Sequence, residues 1–503
     1  MNRREFLKIA GIASGAAGVL FEKNLASARG IPVAAFPGTP QGQCYKGAPR
    51  GVILTSLTDM FKIGPGPSSS HTIVPLRITC NFLEAIEQLS NNADMEAAQT
   101  IQVHLFGSLS ATGKGHRTDR AILASLLGQR PETCDPKLMD ELADSSRKYN
   151  TTINGKTFEI GSHTIVWDKV EHNYPHTNTV IMRLIGKDGS LILEREYYSP
   201  GGGFFQWKGQ PAPERGQPSY PYGSMAEFRK LLLESGKSLH EVILENEKAV
   251  MHTDEKQIFG HLDLVLKTME DGVNQGLDEE GLLPAPFEFY RKAKRIYERS
   301  RNVGAEDGFM QQLSSYALAV SEGNAAGRLA VTAPTLGSAG TIPSIVYVMK
   351  HHLKMSRDSM RMGLLAAGLV GFLCKNNASI AGAEVGCQGE IGVASSMAAA
   401  MLSYAAGASL DATEIAATIA LEHHLGMSCD PVGGFVLIPC IERNAFGALK
   451  AYNAYLLAKN EITSHHWEDL DRVIAAMLET GKALPQAFKE MGTGGLGISM
   501  VDC

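Results

Sequence analysis

The chain has 503 residues, and its proportions of 44% hydrophobic and 20% charged residues are those of a globular protein of about two to three domains. Its formal net charge is −6 and no basic stripe is interleaved with aromatic residues, which argues against a nucleic-acid partner. No apolar run reaches about 18 residues, so no stable membrane insertion is expected.

The N-terminal segment predicts an export signal rather than part of the fold. Arg3 and Arg4 precede an apolar run at 9–21, and a small-residue pattern at 26–28 suits a cleavage site. Twin arginines in this setting resemble a Tat signal, which carries folded proteins across a membrane. We therefore expect a signal segment at 1–28 and a periplasmic protein.

Residues 51–205 predict an α/β domain. They mix short alternating or β-branched runs, which are typical of strands, with segments whose apolar residues follow the helical period. A proline-containing loop at 29–50 precedes this domain, and a linker rich in proline and glycine follows it at 206–222. The predicted strands are at 101–106 and 179–184, and the predicted helices are at 73–89 and 119–127.

Residues 223–503 predict a mostly helical domain, because strand signals nearly vanish beyond the linker. A helical stretch at 467–490 would dock the C-terminal tail on this domain. The expected fold class is therefore α+β, with an α/β domain followed by a mostly all-α domain. The other predicted helices are at 225–251, 256–273, 286–299, 308–329, 356–372, 389–404, 411–425 and 440–459.

Four cysteines are candidate metal ligands. Cys387, Cys429 and Cys440 lie in segments rich in glycine and proline, and Cys503 ends the chain. Cys387 and Cys440 fall near the N-termini of predicted helices, where the helix dipole lowers the pKa of a thiol and favours the thiolate that metals bind. The spacing of Cys387, Cys429 and Cys440 along the chain is not that of the ligands of a zinc finger or a ferredoxin. The residues alone leave three interpretations open: buried structural cysteines, disulfides of an exported protein, and ligands of an iron–sulfur cluster.

Two polar loops carry candidate histidines. His71 follows the serine run Ser68-Ser69-Ser70 in a glycine-rich loop, and His116 follows Lys114 in a second loop. A histidine there can titrate near neutral pH and act as a base, and the serines can bind a carboxylate. A lone histidine is more often structural or exposed, so these residues alone leave that interpretation open as well.

Six sequence motifs occur in order along the two halves of the chain. They are IGPGPSSSHT at 63–72, GSLSATGKGH at 107–116, YYSPGGGF at 197–204, GAEVGCQGE at 382–390, CDPVGG at 429–434 and IPCIERNA at 438–445. These motifs resemble those of the iron–sulfur L-serine dehydratases, also called L-serine ammonia-lyases. The resemblance runs from about residue 51 to residue 503, and it matches the single-chain form in which the two family domains are fused.

The resemblance implies a [4Fe–4S] cluster held by Cys387, Cys429 and Cys440, with Cys503 capping the fourth iron until substrate displaces it. It also implies deamination of L-serine to pyruvate and ammonia, and a homodimer. An iron with an open position would act as a Lewis acid on the serine hydroxyl while a base takes the α-proton.

The same resemblance implies roles for the site residues. We predict His71 as the base, with His116 as the alternative base or as a residue that orients the substrate. The predicted substrate-binding residues are Ser68, Ser69, Ser70 and Lys114.

One position departs from the family pattern. The segment VTAPTLGS at 331–338 is similar to a Pro-Thr-Asn-Gly block of the family, but Leu336 stands where the family has asparagine. A related lyase acting on L-threonine, L-cysteine or another small β-substituted amino acid is therefore an alternative. A pyridoxal-phosphate dehydratase would need a Schiff-base lysine, and no lysine has a suitable setting. The alternative outside the enzymes is an exported iron–sulfur carrier or sensor.

Overall fold

A computed structural model describes residues 51–89, 92–210, 215–285, 287–462 and 466–499. The predicted signal segment at 1–28, the loop at 29–50 and Cys503 lie outside these residues and stay predictions. Within the described part, no helix combines the length and the apolar character that crossing a bilayer requires.

A mixed sheet organises the N-terminal half of the chain. The strands of this half are β1 Ile63–Pro65, β2 Ala98–Leu105, β3 Lys148–Ile153, β4 Lys156–Gly161, β5 Ile165–Trp167, β6 Thr179–Gly186, β7 Leu191–Gly201 and β8 Phe204–Trp207. Those of the mixed sheet follow the order β5-β2-β6-β7-β8, in which β2 pairs in parallel with β5 and antiparallel with β6.

Helices cover this sheet and close a hydrophobic core that includes Phe82, Val103 and Met182. The helix at 74–87 packs against the helix at 118–126 and against β7 and β8. The two strands and two helices predicted in this region are confirmed, with small differences at their ends. The helices are α1 Leu57–Met60, α2 Val74–Glu87, α3 Asn92–Ala97, α4 Ser108–Thr112, α5 Thr118–Leu126 and α6 Pro136–Glu141.

The C-terminal half is mostly helical, which confirms the α+β class. Its helices are α7 Met225–Ser235, α8 Leu239–Met251, α9 Glu255–Asp278, α10 Ala293–Ser300, α11 Ala305–Ala325, α12 Thr341–His351, α13 Arg357–Asn377, α14 Gly382–Val385, α15 Ile391–Ala405, α16 Leu410–Glu422, α17 Cys440–Lys459, α18 Leu470–Ala483 and α19 Leu496–Ser499. The short strand β9 spans Leu329–Val331.

Helix α15 lies at the centre of this half and contacts α13, α16 and α17. Its alanines, serines and single glycine allow the neighbouring backbones to approach closely. Ser395 and Ser396 donate to the carbonyls of Gly447 and Ala417, so these two buried hydroxyls are paired. This packing fixes the start of α15, where the segment of Cys387 ends.

Two helical predictions between the linker and the C-terminal tail need correction, and one helix was missed. The helix expected at 225–251 is two helices, because Gly236 adopts φ 68° and ends α7. The helix expected at 286–299 begins only at Ala293. Helix α12 was missed, because eight of its eleven residues are buried and its basic residues Lys350 and His351 lie only at its end, which leaves a nearly continuous apolar run.

A small two-stranded sheet joins the two halves. β1 and β9 pair antiparallel, with Ile63 opposite Val331. Beyond β1 the chain enters the serine turn at 68–70, and beyond β9 it enters the segment that carries Thr335. Residues just before β1 pack in the helical core, so the N-terminal half is anchored at this point. The boundaries predicted at 51–205, 206–222 and 223–503 stay predictions.

Candidate active site

A polar cavity of about 140 Å³ lies between the two halves of the chain. Its wall is formed by the serine turn after β1, by residues 175–178, by the end of β7, and by segments near Cys387 and near the C-terminus. The polar side chains on this wall include those of Ser69, Ser70, Asn178, Thr335, Glu390 and Glu490.

Three buried cysteines lie next to this cavity. Glu390 is part of the wall, and its Oε2 lies 3.9 Å from the Sγ of Cys387 and 3.9 Å from the Sγ of Cys429. The donor atoms of Cys387, Glu390 and Cys429 all lie within 4.8 Å of one another. Cys440, the first residue of α17, is also buried and interacts electrostatically with Cys387 and Glu390. The predicted ligands Cys387, Cys429 and Cys440 are therefore brought together.

Among the described residues, the disulfide interpretation is wrong for Cys387, Cys429 and Cys440. Within the described residues the cysteines at positions 80, 134, 374, 387, 429 and 440 are all free. The Cys387 and Cys429 thiols beside the Glu390 carboxylate, with the Cys440 thiol interacting electrostatically with Cys387 and Glu390, form a donor set of the kind that binds iron–sulfur clusters or other soft metal centres.

The electrostatics of the thiols differ from the sequence expectation. Burial, followed by the neighbouring Cys387, raises the pKa of Cys440, which outweighs the effect of its helix N-terminus. The contact with Cys387 and burial likewise raise the pKa of Cys429. Burial works to lower the pKa of Arg443, but Cys387 and Cys440 outweigh it and raise that pKa. A bound metal would instead lower the pKa of these thiols, since it stabilises the thiolate.

The C-terminal segment is docked on the loop of Cys429. The Cys429 N–H donates to the Phe488 carbonyl and the Glu490 N–H donates to the Cys429 carbonyl, both at 2.7 Å. The helix expected at 467–490 therefore ends early, at Ala483, and the chain beyond it pairs with the Cys429 loop through a single β-bridge. This pairing places the Glu490 side chain at the cavity.

His71 lies behind the cavity wall rather than on it. It sits in the turn Ser69–Ile73, where Ser68 caps the turn by accepting from the His71 N–H at 3.2 Å. His71 Nδ1 is 2.8 Å from Ser70 Oγ, and its Nε2 is 3.1 Å from Ser108 Oγ. Burial lowers the pKa of His71 well below its usual value, so the imidazole is neutral at neutral pH.

The tautomer of His71 is set by its partners. The Ser108 hydroxyl donates its one proton to the Glu490 carbonyl at 3.1 Å. The Ser108 oxygen must then accept from His71, which places the ring proton on Nε2. Nδ1 is left as the acceptor that faces the Ser70 hydroxyl. The docked C-terminal segment thus determines which ring nitrogen of His71 carries the proton.

The other predicted residues take different positions. His116 packs against His71 with 4.6 Å between the ring centroids, and its Nδ1 lies 2.8 Å from the Thr112 carbonyl. Lys114 is exposed and lines a second cavity, so the structure does not bring it to the polar cavity. Ser69 and Ser70 do line the polar cavity, as expected of substrate-binding residues.

Comparison with known proteins decides the family. A sequence profile described as "Serine dehydratase beta chain" matches residues 56–210, and one described as "Serine dehydratase alpha chain" matches residues 234–497. The chain belongs to the serine dehydratase family. The resemblance drawn from the motifs is thereby confirmed.

Curated members of the serine dehydratase family match almost end to end. "L-serine dehydratase" of Streptomyces coelicolor is 38% identical over 463 residues, which cover 89% of this chain and 99% of the relative. "L-serine dehydratase 2" of Escherichia coli is 38% identical over 465 residues, covering 90% and 100%. "L-serine dehydratase TdcG" of Escherichia coli is 39% identical over 462 residues, covering 89% and 100%.

The departure from the family pattern at Leu336 does not reach the cavity wall. Leu336 is buried in the main hydrophobic core, and its carbonyl accepts from Asn324 Nδ2 at 3.0 Å. Its neighbour Thr335 lines the cavity, and the Thr335 hydroxyl donates to Glu390 Oε1 at 2.7 Å. The structural reason for expecting an altered substrate is therefore weakened.

Sequence reasoning missed several wall residues of this serine dehydratase. Glu390 belongs to a quoted motif, three residues after Cys387, and that spacing was a usable signal. Glu490 and Asn178 have no motif that marks them. Burial, and then the charge of Glu390, raise the pKa of Glu490 well above its usual value.

Lowering the pH is expected to destabilise the fold through His116. Burial lowers the pKa of His116 from 6.5 to about 4. Between these values the unfolded chain binds a proton that the folded chain does not, so the free energy of unfolding falls as the pH falls. His116→Gln should remove about 1.4 kcal/mol per pH unit from this slope, measured by urea denaturation at several pH values. The exposed His163→Gln is the control and should keep the wild-type slope.

Proposed function

We propose that this chain is an L-serine ammonia-lyase, which eliminates water from L-serine and yields pyruvate and ammonia. The observation that carries the proposal is the polar cavity, whose wall combines Ser70, backed by His71, with Glu390, whose carboxylate lies beside Cys387 and Cys429. The names of the curated relatives support the same substrate.

We propose a [4Fe–4S] cluster as the cofactor, held by Cys387, Cys429 and Cys440, with Cys503 as the fourth ligand in the absence of substrate. The three described thiols are buried and free, and Arg443 beside them would offset the negative charge of thiolate ligands. When bound, the cluster would supply a Lewis acid for the departing serine hydroxyl.

Polar atoms on the cavity wall would hold the substrate. Asn178 is buried, and its Oδ1 has no hydrogen-bond partner among the described residues. An unpaired buried acceptor is costly, so it favours a ligand that donates, such as the ammonium group of an amino acid. Ser69 lines the same cavity and offers a hydroxyl to the substrate carboxylate. These contacts would orient the α-proton toward the wall.

Proton removal would run through Ser70. As the Ser70 oxygen takes the α-proton, its own proton moves to Nδ1 of His71, which the tautomer leaves free to accept. The proton on His71 then returns through Ser70 to the departing hydroxide and completes a water molecule. Aminoacrylate leaves the site, tautomerises and hydrolyses to pyruvate and ammonia.

An anaerobic preparation tests this proposal. We expect kcat/KM for L-serine to exceed that for L-threonine at least about tenfold, because the curated relatives are named for L-serine and one added carbon changes the discrimination of a binding site by about 10-fold or more. Pyruvate and 2-oxobutyrate formation measure the two rates. Turnover of L-cysteine alone would contradict L-serine as the substrate. Full iron and sulfide content with no turnover would favour a non-enzymatic carrier or sensor.

We also propose export by the Tat route. The support is the twin arginines Arg3 and Arg4 with the apolar run that follows them, and these residues lie outside the described part. Residues 1–35 fused to a folded reporter should carry it to the periplasm. The variant with both arginines changed to lysine should keep it in the cytoplasm. A cytoplasmic reporter with both arginines intact would contradict export.

A homodimer completes the proposal, on the basis of the family resemblance alone. One chain has a mass of 54.1 kDa. Sedimentation of the anaerobic protein should give about twice this mass, and the mass of a single chain would contradict the dimer.

A further inference from the structure

A second cavity, of about 390 Å³, lies apart from the proposed substrate site. Its polar side chains are those of Lys114, Arg117 and Arg120, and its apolar wall includes Phe435 and Leu437. A cavity of this size is within the range of small-molecule sites. Among the described residues that line it, none is an aspartate or a glutamate, so the wall is positively charged.

Arg117 is the buried charged side chain of this site. Only 4% of its surface is exposed, and its Nη1 lies 3.0 Å from Asp140 Oδ1. Its Nη2 is buried and has no hydrogen-bond partner among the described residues. A buried guanidinium N–H without an acceptor is costly, so the site favours a ligand that brings an oxygen to Nη2.

The surroundings of Arg117 hold the guanidinium in place. Gly327 has φ +85°, and a Cβ at that position would lie 2.3 Å from Arg117 Nη1. Any larger residue at 327 would therefore displace the guanidinium. Positive charge is in excess around Arg117. Arg120 and Arg328 both interact electrostatically with its guanidinium, while its ion-pair partner Asp140 is more than half exposed. Asp119 adds a second carboxylate next to Arg120, and its Oδ1 accepts from the Arg120 N–H.

We propose that this cavity binds a small organic anion, whose carboxylate or phosphate group pairs with Arg117, Lys114 and Arg120 and whose carbon skeleton rests on Phe435 and Leu437. Guanidinium groups bind the oxygens of carboxylate and phosphate in the same forked geometry, so both chemistries fit the charged wall. Binding of the anion does not depend on the proposed lyase activity.

The position of the cavity gives the anion contact with two segments that reach the proposed active site. A Cβ on Gly115 would lie 2.9 Å from the Gly434 carbonyl, so the two walls are in close contact. Gly115 is followed by His116, which packs on His71, while the other wall belongs to the segment between Cys429 and Cys440. A bound anion would therefore contact both segments at once.

Calorimetric titration of the full, anaerobically purified chain tests this site. The probes are succinate for the carboxylate source, glycerol 3-phosphate for the phosphate source and glycerol as the neutral reference. We expect at least one anion to bind with a Kd of about 1 mM or lower at low salt, more weakly as salt is added, and glycerol not to bind. Arg117→Gln and Arg120→Gln should each weaken the binding at least about tenfold, because a charge-assisted hydrogen bond is lost.

Arg130→Gln is the matched control. Arg130 belongs to the same half of the chain, but it is mostly exposed and pairs with Glu84. It should bind the anion like wild type. If Arg117→Gln fails to fold, Arg120→Gln still decides the question, since Arg120 is only partly buried. The proposal is overturned if neither anion binds at millimolar concentration, if both test variants bind like wild type, or if Arg130→Gln weakens binding equally.

Discussion

Cys429→Ser is expected to lower iron content and L-serine turnover together, each by at least about 100-fold. Replacing groups that merely support a metal ligand already costs about 10–100-fold in affinity or activity, so loss of a ligand should cost more. The Cys429 thiol lies within 4.8 Å of both Cys387 Sγ and the Glu390 carboxylate, so it belongs to the donor set itself. Iron and sulfide analysis beside a pyruvate assay on the same anaerobic sample measures both quantities.

The fold itself should survive this change. The backbone of Cys429 is held by its two hydrogen bonds to Phe488 and Glu490, and these do not involve the side chain. Serine is slightly smaller than cysteine, so it leaves no large cavity. Circular dichroism should therefore be unchanged while the cluster is lost.

Cys80→Ser is the control for this prediction. Cys80 is also buried, but its thiol contacts Ser125 and the Gln129 carbonyl in the core of the N-terminal half. The control should keep both iron and turnover. Full iron content in Cys429→Ser would contradict cluster ligation by this residue. Loss of iron with normal turnover would contradict a role for the cluster in the reaction.

The regular elements were predictable where the sequence carries a local signal. The helix at 440–459 was predicted at its observed ends, because Pro439 precedes it and apolar residues recur along it. The split at Gly236 and the missed helix α12 show the limit. A single glycine can end a helix inside a continuous pattern, and a helix that is buried over most of its length shows little alternation of polar and apolar residues.

The candidate site was predictable only in part, because its residues meet through the fold rather than along the chain. The thiols and His71 stand in motifs that can be read locally. The contact between Ser108 and Glu490 joins residues 382 positions apart, and it exists only because the C-terminal segment pairs with Cys429. The polar groups behind His71, and hence its tautomer, depend on this pairing and not on a motif.

Ser70→Ala is expected to lower kcat for L-serine by about 10²–10⁴-fold with little change in KM. Positioned acid–base groups contribute about this much to the rate. The Ser70 oxygen is the part of the Ser70–His71 pair that lines the cavity, and its 2.8 Å contact with Nδ1 gives the proton a path to the imidazole. Steady-state pyruvate formation measures both constants.

His71→Gln should lower kcat by a similar factor, and the double variant should lose no more than either single variant. Two groups that hand on one proton act as a unit, so their effects are not additive. A Ser70→Ala variant that keeps its activity while His71→Gln loses it would contradict the relay and assign His71 a direct contact with substrate.

Ser125→Ala is the matched control for the serine relay. Its hydroxyl is fully buried in the same half of the chain and contacts Cys80, in the core rather than at the cavity. We expect its kcat to stay within about threefold of wild type, because a single buried hydroxyl away from the site costs stability rather than rate. An equal loss of kcat in Ser125→Ala and Ser70→Ala would mean that destabilisation explains both. A loss confined to Ser70→Ala, with iron content unchanged, would assign the effect to proton transfer.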